Sequence, residues 1–144
     1  MDSISTFTIA DICEGQSFSF EEVITETMID DFATITGDNN PLHMDRNFAI
    51  QRGFKDRVVH GAFLNGLVSR FVGVHLPGKN CLLLGMSMKY PVPTYPHRLL
   101  RVTGTVEQIS VSAKAMIVQV VIYSITEQII VAKGKVTVGF TNEG

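Results

Sequence analysis

Missing from this 144-residue chain are most of the short patterns that announce a common chemistry. It has two cysteines, Cys13 and Cys81, with no CxxC and no paired metal-ligand spacing. Isolated thiols of this kind fit a reducing compartment and are expected to pack as small apolar side chains. Basic residues occur singly and the formal net charge is -2, so the electrostatic footprint that nucleic acid or an anionic membrane requires is lacking. No apolar run reaches the roughly 20 residues of a membrane span. The opening MDSISTFTIADICEG has neither a basic n-region nor a long apolar h-region, so no secretory signal is expected. A cytoplasmic protein is the expectation. HExxH, GxSxG and a phosphate-cradling glycine loop are also absent, which removes zinc-protease, serine-hydrolase and P-loop chemistry.

What is present is a hydrophobic fraction of 45%, enough for one core without staples, and no repeat, low-complexity tract or linker. A single domain over residues 1–144 is expected. Ser17 to Val23 alternates like a half-buried strand, with Phe18 and Phe20 on one side. Thr27 and Asp30 resemble a capping box, Ile29, Phe32 and Ala33 share a helical face, and Gly37 ends that helix. Asp45 is a credible N-cap for a second short helix closed by Gly53. Gly61 to Val74, GAFLNGLVSRFVGV, is apolar on nearly every side and reads as a buried helix bearing a stripe of small residues, Ala62, Gly66, Ser69 and Gly73. Four strands follow: Leu82 to Tyr90 and Leu100 to Val106 alternate, Met116 to Ile125 is apolar on both faces as a central strand would be, and Ile130 to Phe140 alternates again. The order predicts an α+β fold in which an antiparallel sheet wraps one long central helix.

One stretch carries most of the chemistry, TGDNNPLH at 36–43, with Val59-His60-Gly61 downstream at the start of the apolar helix. Gly37 ends a helix and Pro41 prevents its continuation, so Asp38 and His43 are expected on a constrained turn. A carboxylate and an imidazole five residues apart around a proline face one small volume, where they hold and deprotonate a water molecule. Gly61 opens a helix, so its N–H is an unpaired donor with positive partial charge and no side chain in front of it, suited to an oxygen that gains negative charge. Water addition to, or elimination from, an acyl compound activated through its carbonyl fits this set. A metal held by Asp38, His43 and Asp45 lacks a supporting histidine pair, so no metal is expected. His60 is expected to orient or cap the helix start, and Ser69 lacks the context of a nucleophile.

TGDNNPLHMD at 36–45, VVHGAFLNGLVSRFV at 58–72 and LPGKN at 76–80 resemble the MaoC-like family of (R)-specific enoyl-CoA hydratases, over roughly residues 17–140. The resemblance implies a hot-dog fold, usually assembled as a homodimer. It also implies that Asp38 and His43 activate the water added to the β-carbon of a trans-2-enoyl thioester, that a proton goes to the α-carbon, and that the Gly61 N–H polarises the thioester carbonyl. Asn40 and Pro41 match the motif as shapers of the turn, and Ser69 matches a serine near the family's active site. Asn40, Pro41, His60 and Ser69 are thus the expected substrate-binding residues. The substrate would be a thioester of coenzyme A or acyl carrier protein, with no metal or redox cofactor. Basic candidates for the carrier phosphates are Lys55, Arg57, Lys79, Lys89 and Arg70. Family members commonly carry Gly-Asp where this chain has Tyr95-Pro96-His97-Arg98. A thioesterase on the same scaffold and a non-catalytic acyl-thioester binding module are the alternatives. The first would call for a carboxylate on the central helix, which Gly61 to Val74 does not contain, and the second would bind without turnover.

Overall fold

A computed structural model of the chain describes residues 2–141. Five strands, β1 (Ser17–Val23), β2 (Cys81–Lys89), β3 (Leu99–Ser110), β4 (Ala115–Ser124) and β5 (Ile129–Phe140), form one antiparallel sheet in the order β1-β3-β4-β5-β2. The doubly apolar segment is indeed the middle strand, β4, because side chains covered on both faces are tolerated where neighbours pair on both edges. Its Val118 and Ile122 stand beside Val106, Val136, Val102 and Ala132 of the flanking strands, all of them buried. These side chains pave the face that receives the helix.

Between β1 and β2 lie four helices, α1 (Glu26–Thr36), α2 (Pro41–Met44), α3 (Arg46–Gln51) and α4 (Gly61–Arg70), and α4 runs on into a wider turn over Phe71–His75. Leu64, Leu67, Val68, Phe71 and Val72 from this last helix are buried against the sheet. Phe71 comes so close to β3 that a Cβ on Gly104 would stand 2.3 Å from its ring, so a glycine is required at that core-facing position. The arrangement is the hot dog expected from the sequence.

Four local expectations are corrected. The N-cap of α1 is Thr25, two residues earlier than expected, and its Oγ1 accepts the Met28 N–H at 3.2 Å. The central helix is covered on one side only: Ala62, Gly66 and Ser69 are exposed, because its small-residue stripe faces away from the sheet. The simple alternation of β2 is interrupted by a bulge at Leu83/Gly85, which leaves Leu82 and Leu84 54% and 57% exposed on an edge strand. Cys13 is exposed and Cys81 half-buried, so the first of the two thiols does not pack in the core. No helix among the described residues is long and apolar enough to cross a membrane.

Candidate active site

Gly37 takes a left-handed conformation, φ 78°, which ends α1 and turns the chain into the loop that carries Asp38. Asn40 then caps α2, its Oδ1 accepting the Leu42 N–H at 2.9 Å, and Pro41 occupies the first helical position, where no N–H is needed. His43 therefore sits on one turn of helix instead of in a loop, and Asn40 and Pro41 shape that turn from exposed positions outside the cleft described below.

The His43 ring is tethered. Its Nδ1 lies 2.7 Å from the Val58 carbonyl, which only accepts, so Nδ1 carries the proton and Nε2 is left with a free lone pair. The backbone behind it is tethered too: Val58 N–H donates to the Leu42 carbonyl, and the buried Arg57 side chain donates from Nε to the His43 carbonyl at 2.6 Å and from Nη2 to Asp30 at 2.5 Å. Arg57 is thus a brace for His43 and not a phosphate ligand.

His60 is 1% exposed and its side chain does not cap α4. It donates from Nε2 to the Asp38 backbone carbonyl at 2.9 Å and stacks on His43, with ring centroids 3.9 Å apart and planes 25° from parallel. The expected substrate contact is corrected to an orienting role, since burial keeps the ring away from a ligand. Asp38, His43 and His60 bring a carboxylate oxygen and two ring nitrogens within 4.8 Å of one another. A single water spans such a gap with bonds of ordinary length to two of them. A shared metal ion fits the trio poorly, because stacked, nearly parallel imidazoles do not aim their in-plane lone pairs at one point.

Gly61 follows as the first residue of α4, and its N–H has no partner among the described residues, as expected at a helix start. Gly61 and His43 line the same cavity of about 270 Å³ with Val58, Val59, Leu64, Tyr90, Val92, Pro93 and Thr94. Thr94 is buried, and its Oγ1 has no hydrogen-bond partner among the described residues. The segment after β2 was read in the sequence only as a proline-rich divider. The pairing of Val59 N–H with the Thr94 carbonyl at 2.9 Å makes it the opposite wall, a long-range contact with no local sequence signal. Ser69 is not brought to this cleft: it lies eight residues further on, about 12 Å along the helix axis, on the exposed face.

The other basic candidates are mostly engaged. Arg70 pairs with Glu22 at 2.6 Å and Asp2 at 3.2 Å and lies over the Phe20 ring, and Lys55 approaches Glu127 at 3.5 Å. Lys79 and Lys89 are exposed and have no ion-pair partner among the described residues. Tyr95-Pro96-His97-Arg98 forms a tight corner, with His97 at φ 66° and its N–H on the Ile24 carbonyl, while Arg98 lies over the buried Tyr95 ring and bonds to Glu127.

Burial holds both His60 and His75 below the ordinary histidine pKa, and for His75 the Arg70 guanidinium adds to the effect. Free imidazole titrates near 6.5. Between that value and the lowered folded one, the unfolded chain binds more protons, so stability falls as pH falls through the window. Urea midpoints are expected to be lower at pH 5.5 than at pH 7.5, and a His60→Gln/His75→Gln double variant should lose less over the same interval. An equal loss in the variant would remove the two rings from the account.

A family profile described as MaoC like domain matches residues 11–129. An (R)-specific enoyl-CoA hydratase of Rhodospirillum rubrum is 35% identical over 92 residues, 64% of this chain and 64% of that protein. A 3-hydroxybutyryl-CoA dehydratase of Methylorubrum extorquens is 31% identical over 83 residues, 58% of this chain and 53% of the relative. The chain thus spans between 53% and 64% of the length of these curated relatives. Among solved structures, an (R)-hydratase from A. caviae involved in PHA biosynthesis superposes with a TM-score of 0.85 at 25% identity, covering 90% of this chain and 97% of that one.

Proposed function

The chain belongs to the family of MaoC-like domains, and from that membership together with the cleft geometry we propose that it hydrates trans-2-enoyl-CoA to (R)-3-hydroxyacyl-CoA, and dehydrates the product in reverse. The observation that carries the proposal is the Asp38 carboxylate within 4.8 Å of a His43 ring that is tied down at Nδ1 and open at Nε2. A water held between the two loses a proton to the pair as its oxygen bonds to the β-carbon. The electrons of the double bond move toward the thioester carbonyl, and the negative oxygen meets the Gly61 N–H at the positive end of α4. The proton then returns to the α-carbon, so H and OH are added and the enzyme ends unchanged. His60 holds the Asp38 backbone and Arg57 the His43 backbone, which fixes the pair before substrate arrives. No metal enters this scheme.

We read the working unit as a homodimer, since β2 is an edge strand with exposed Leu82 and Leu84 and the exposed face of α4 bears small residues. None of the basic candidates for a carrier phosphate lines the cleft among the described residues: Lys89, although next to Tyr90 in the chain, stands with Ser87, Gln119 and Lys133 on the other face of the sheet. The test is loss of the conjugated absorbance of enoyl-CoAs from four to twelve carbons, with the product's chirality determined by a stereospecific dehydrogenase. Consumption giving the (R) product is expected. Release of free thiol with no hydration would replace the proposal with a thioesterase, a reaction for which α4 carries no carboxylate.

A further inference from the structure

We infer that Tyr90, latched by Asn65, is a substrate-positioning residue that forms the wall of the cleft beside the Gly61 amide; this rests on the hydratase reading above. Four observations converge on it. The Tyr90 hydroxyl donates to Asn65 Oδ1 at 2.5 Å. Asn65 is four residues after Gly61 on α4, so the two stand one above the other on the same helix face. The Tyr90 ring spans the distance between them: a Cβ placed on Gly61 would lie 3.2 Å from Cζ and 3.4 Å from Cε1 and Cε2. Tyr90 also lines the cleft that holds His43 and Gly61, yet stays 42% exposed, so much of the ring is open to a ligand.

The local chemistry explains why the ring stays there. Tyr90 follows the last residue of β2 and precedes Pro91, with Pro93 two further on, so its backbone is restricted to extended geometry. A tyrosine has two side-chain torsions, and the bond to Asn65 fixes them at small entropic cost. Gly61 then has two consequences at once. It leaves its own N–H uncovered, and it provides the flat seat that lets an aromatic ring lie against the first turn of the helix. A thioester whose carbonyl oxygen reaches that N–H has to pass along the ring, so the ring sets the angle of approach. Because it stands beside the amide, it touches the part common to all acyl thioesters and not the far end of the acyl chain.

The experiment uses the full chain and four variants, Tyr90→Phe, Asn65→Leu, the two combined, and Tyr90→Ala, assayed with four-carbon and eight-carbon trans-2-enoyl-CoAs. Loss of one neutral hydrogen bond predicts that Tyr90→Phe and Asn65→Leu each lower kcat/KM by about 3- to 10-fold. The double variant should be no worse than either single one, since both remove the same latch. Tyr90→Ala, which removes the wall, is expected to cost about 10- to 100-fold, with the same penalty for both chain lengths. Thermal midpoints measured in parallel separate unfolding from misplacement. Wild-type kcat/KM in Tyr90→Phe and Asn65→Leu, or additive penalties in the double variant, would overturn the inference. A penalty that grows with chain length would overturn it as well, by moving Tyr90 to the acyl tail. If the wild-type protein itself fails to hydrate either substrate, the hydratase reading falls and the inference with it. Active wild-type protein with indifferent variants sinks the inference alone.

Discussion

Asp38→Asn and His43→Ala are each expected to reduce kcat for hydration of crotonyl-CoA by about 10² to 10⁴ while leaving the fold intact. The fold should tolerate both changes for reasons visible in the structure. Asp38 is exposed and, among the described residues, its carboxylate accepts one long local bond, from the Asn40 N–H at 3.4 Å, which an asparagine oxygen accepts equally well. Removing the His43 ring breaks the bond to the Val58 carbonyl, but the backbone at 43 is still held by Arg57 and by the Asn40 cap of its helix. What disappears is proton handling. The two groups serve one water, so the double variant should fall no further than the worse single one. Absorbance assays combined with circular dichroism decide the matter: folded variants that hydrate at the wild-type rate would remove the pair from the mechanism.

Much of this site could be read from the chain because its parts are close in sequence and its turn chemistry is local. Gly37 and Asp45 act within a few residues of themselves as the stop and the cap that the sequence predicts, whereas Asn40 and Pro41, expected only to shape a turn, are the cap and the first residue of a one-turn helix. Local signals of that kind survive without knowledge of the fold. The orienting shell was partly hidden. Arg57 looked like a phosphate candidate because its charge shows in the sequence, but its burial and its two acceptors, Asp30 and the His43 carbonyl, do not. His60, read as a group that orients or caps the helix start and as a substrate contact, shows in the sequence neither its burial nor its bond to the Asp38 carbonyl. Tyr90, read only as the end of a strand, and Thr94 were passed over as cleft residues, since they reach the cleft through long-range contacts, Tyr90 with Gly61 and Asn65 and Thr94 through the pairing of residue 59 with residue 94. Ser69 was the opposite case: the motif matched, but about two turns of helix carry it away from the cleft.

The fold was legible for similar reasons, with one failure of pattern. Period-two alternation locates β3 and β5, and apolarity on both faces locates β4, although their pairing shifts register at Val106/Gln108 and at Ile122/Tyr123; in β2 the bulge falls inside the run of leucines and changes which of them face the core. Alternation alone assigns Leu82 and Leu84 to one covered face, and the local mark of the bulge is Gly85, an isolated glycine inside the strand pattern. The central helix shows the same limit from the other side. Its composition is that of a fully buried helix, but a single chain has one sheet to cover it with, so the small-residue face remains exposed.

Gly104 in the middle of β3 offers the sharpest test of the packing. In the alternation of Leu100, Val102 and Val106, all buried, a glycine at a core-facing position is an anomaly, since it gives up the burial a larger side chain would supply. The Phe71 ring explains it, occupying the space at 2.3 Å from where the missing Cβ would be. Gly104→Ala is therefore expected to destabilise the fold by about 1 to 3 kcal/mol through overpacking, despite alanine's better backbone entropy, and Gly104→Val by more. Phe71→Ala should cost about 3 to 5 kcal/mol by leaving a cavity. The two changes relieve each other: with the ring gone, a methyl or isopropyl group on residue 104 fills part of the void, so the Gly104→Val/Phe71→Ala double variant should be more stable than the sum of the single losses predicts. Urea unfolding of the four proteins measures the coupling. Additive losses would mean that ring and strand do not meet as described, and with that contact would go the close seating of the central helix from which Gly61 and the rest of the cleft take their position.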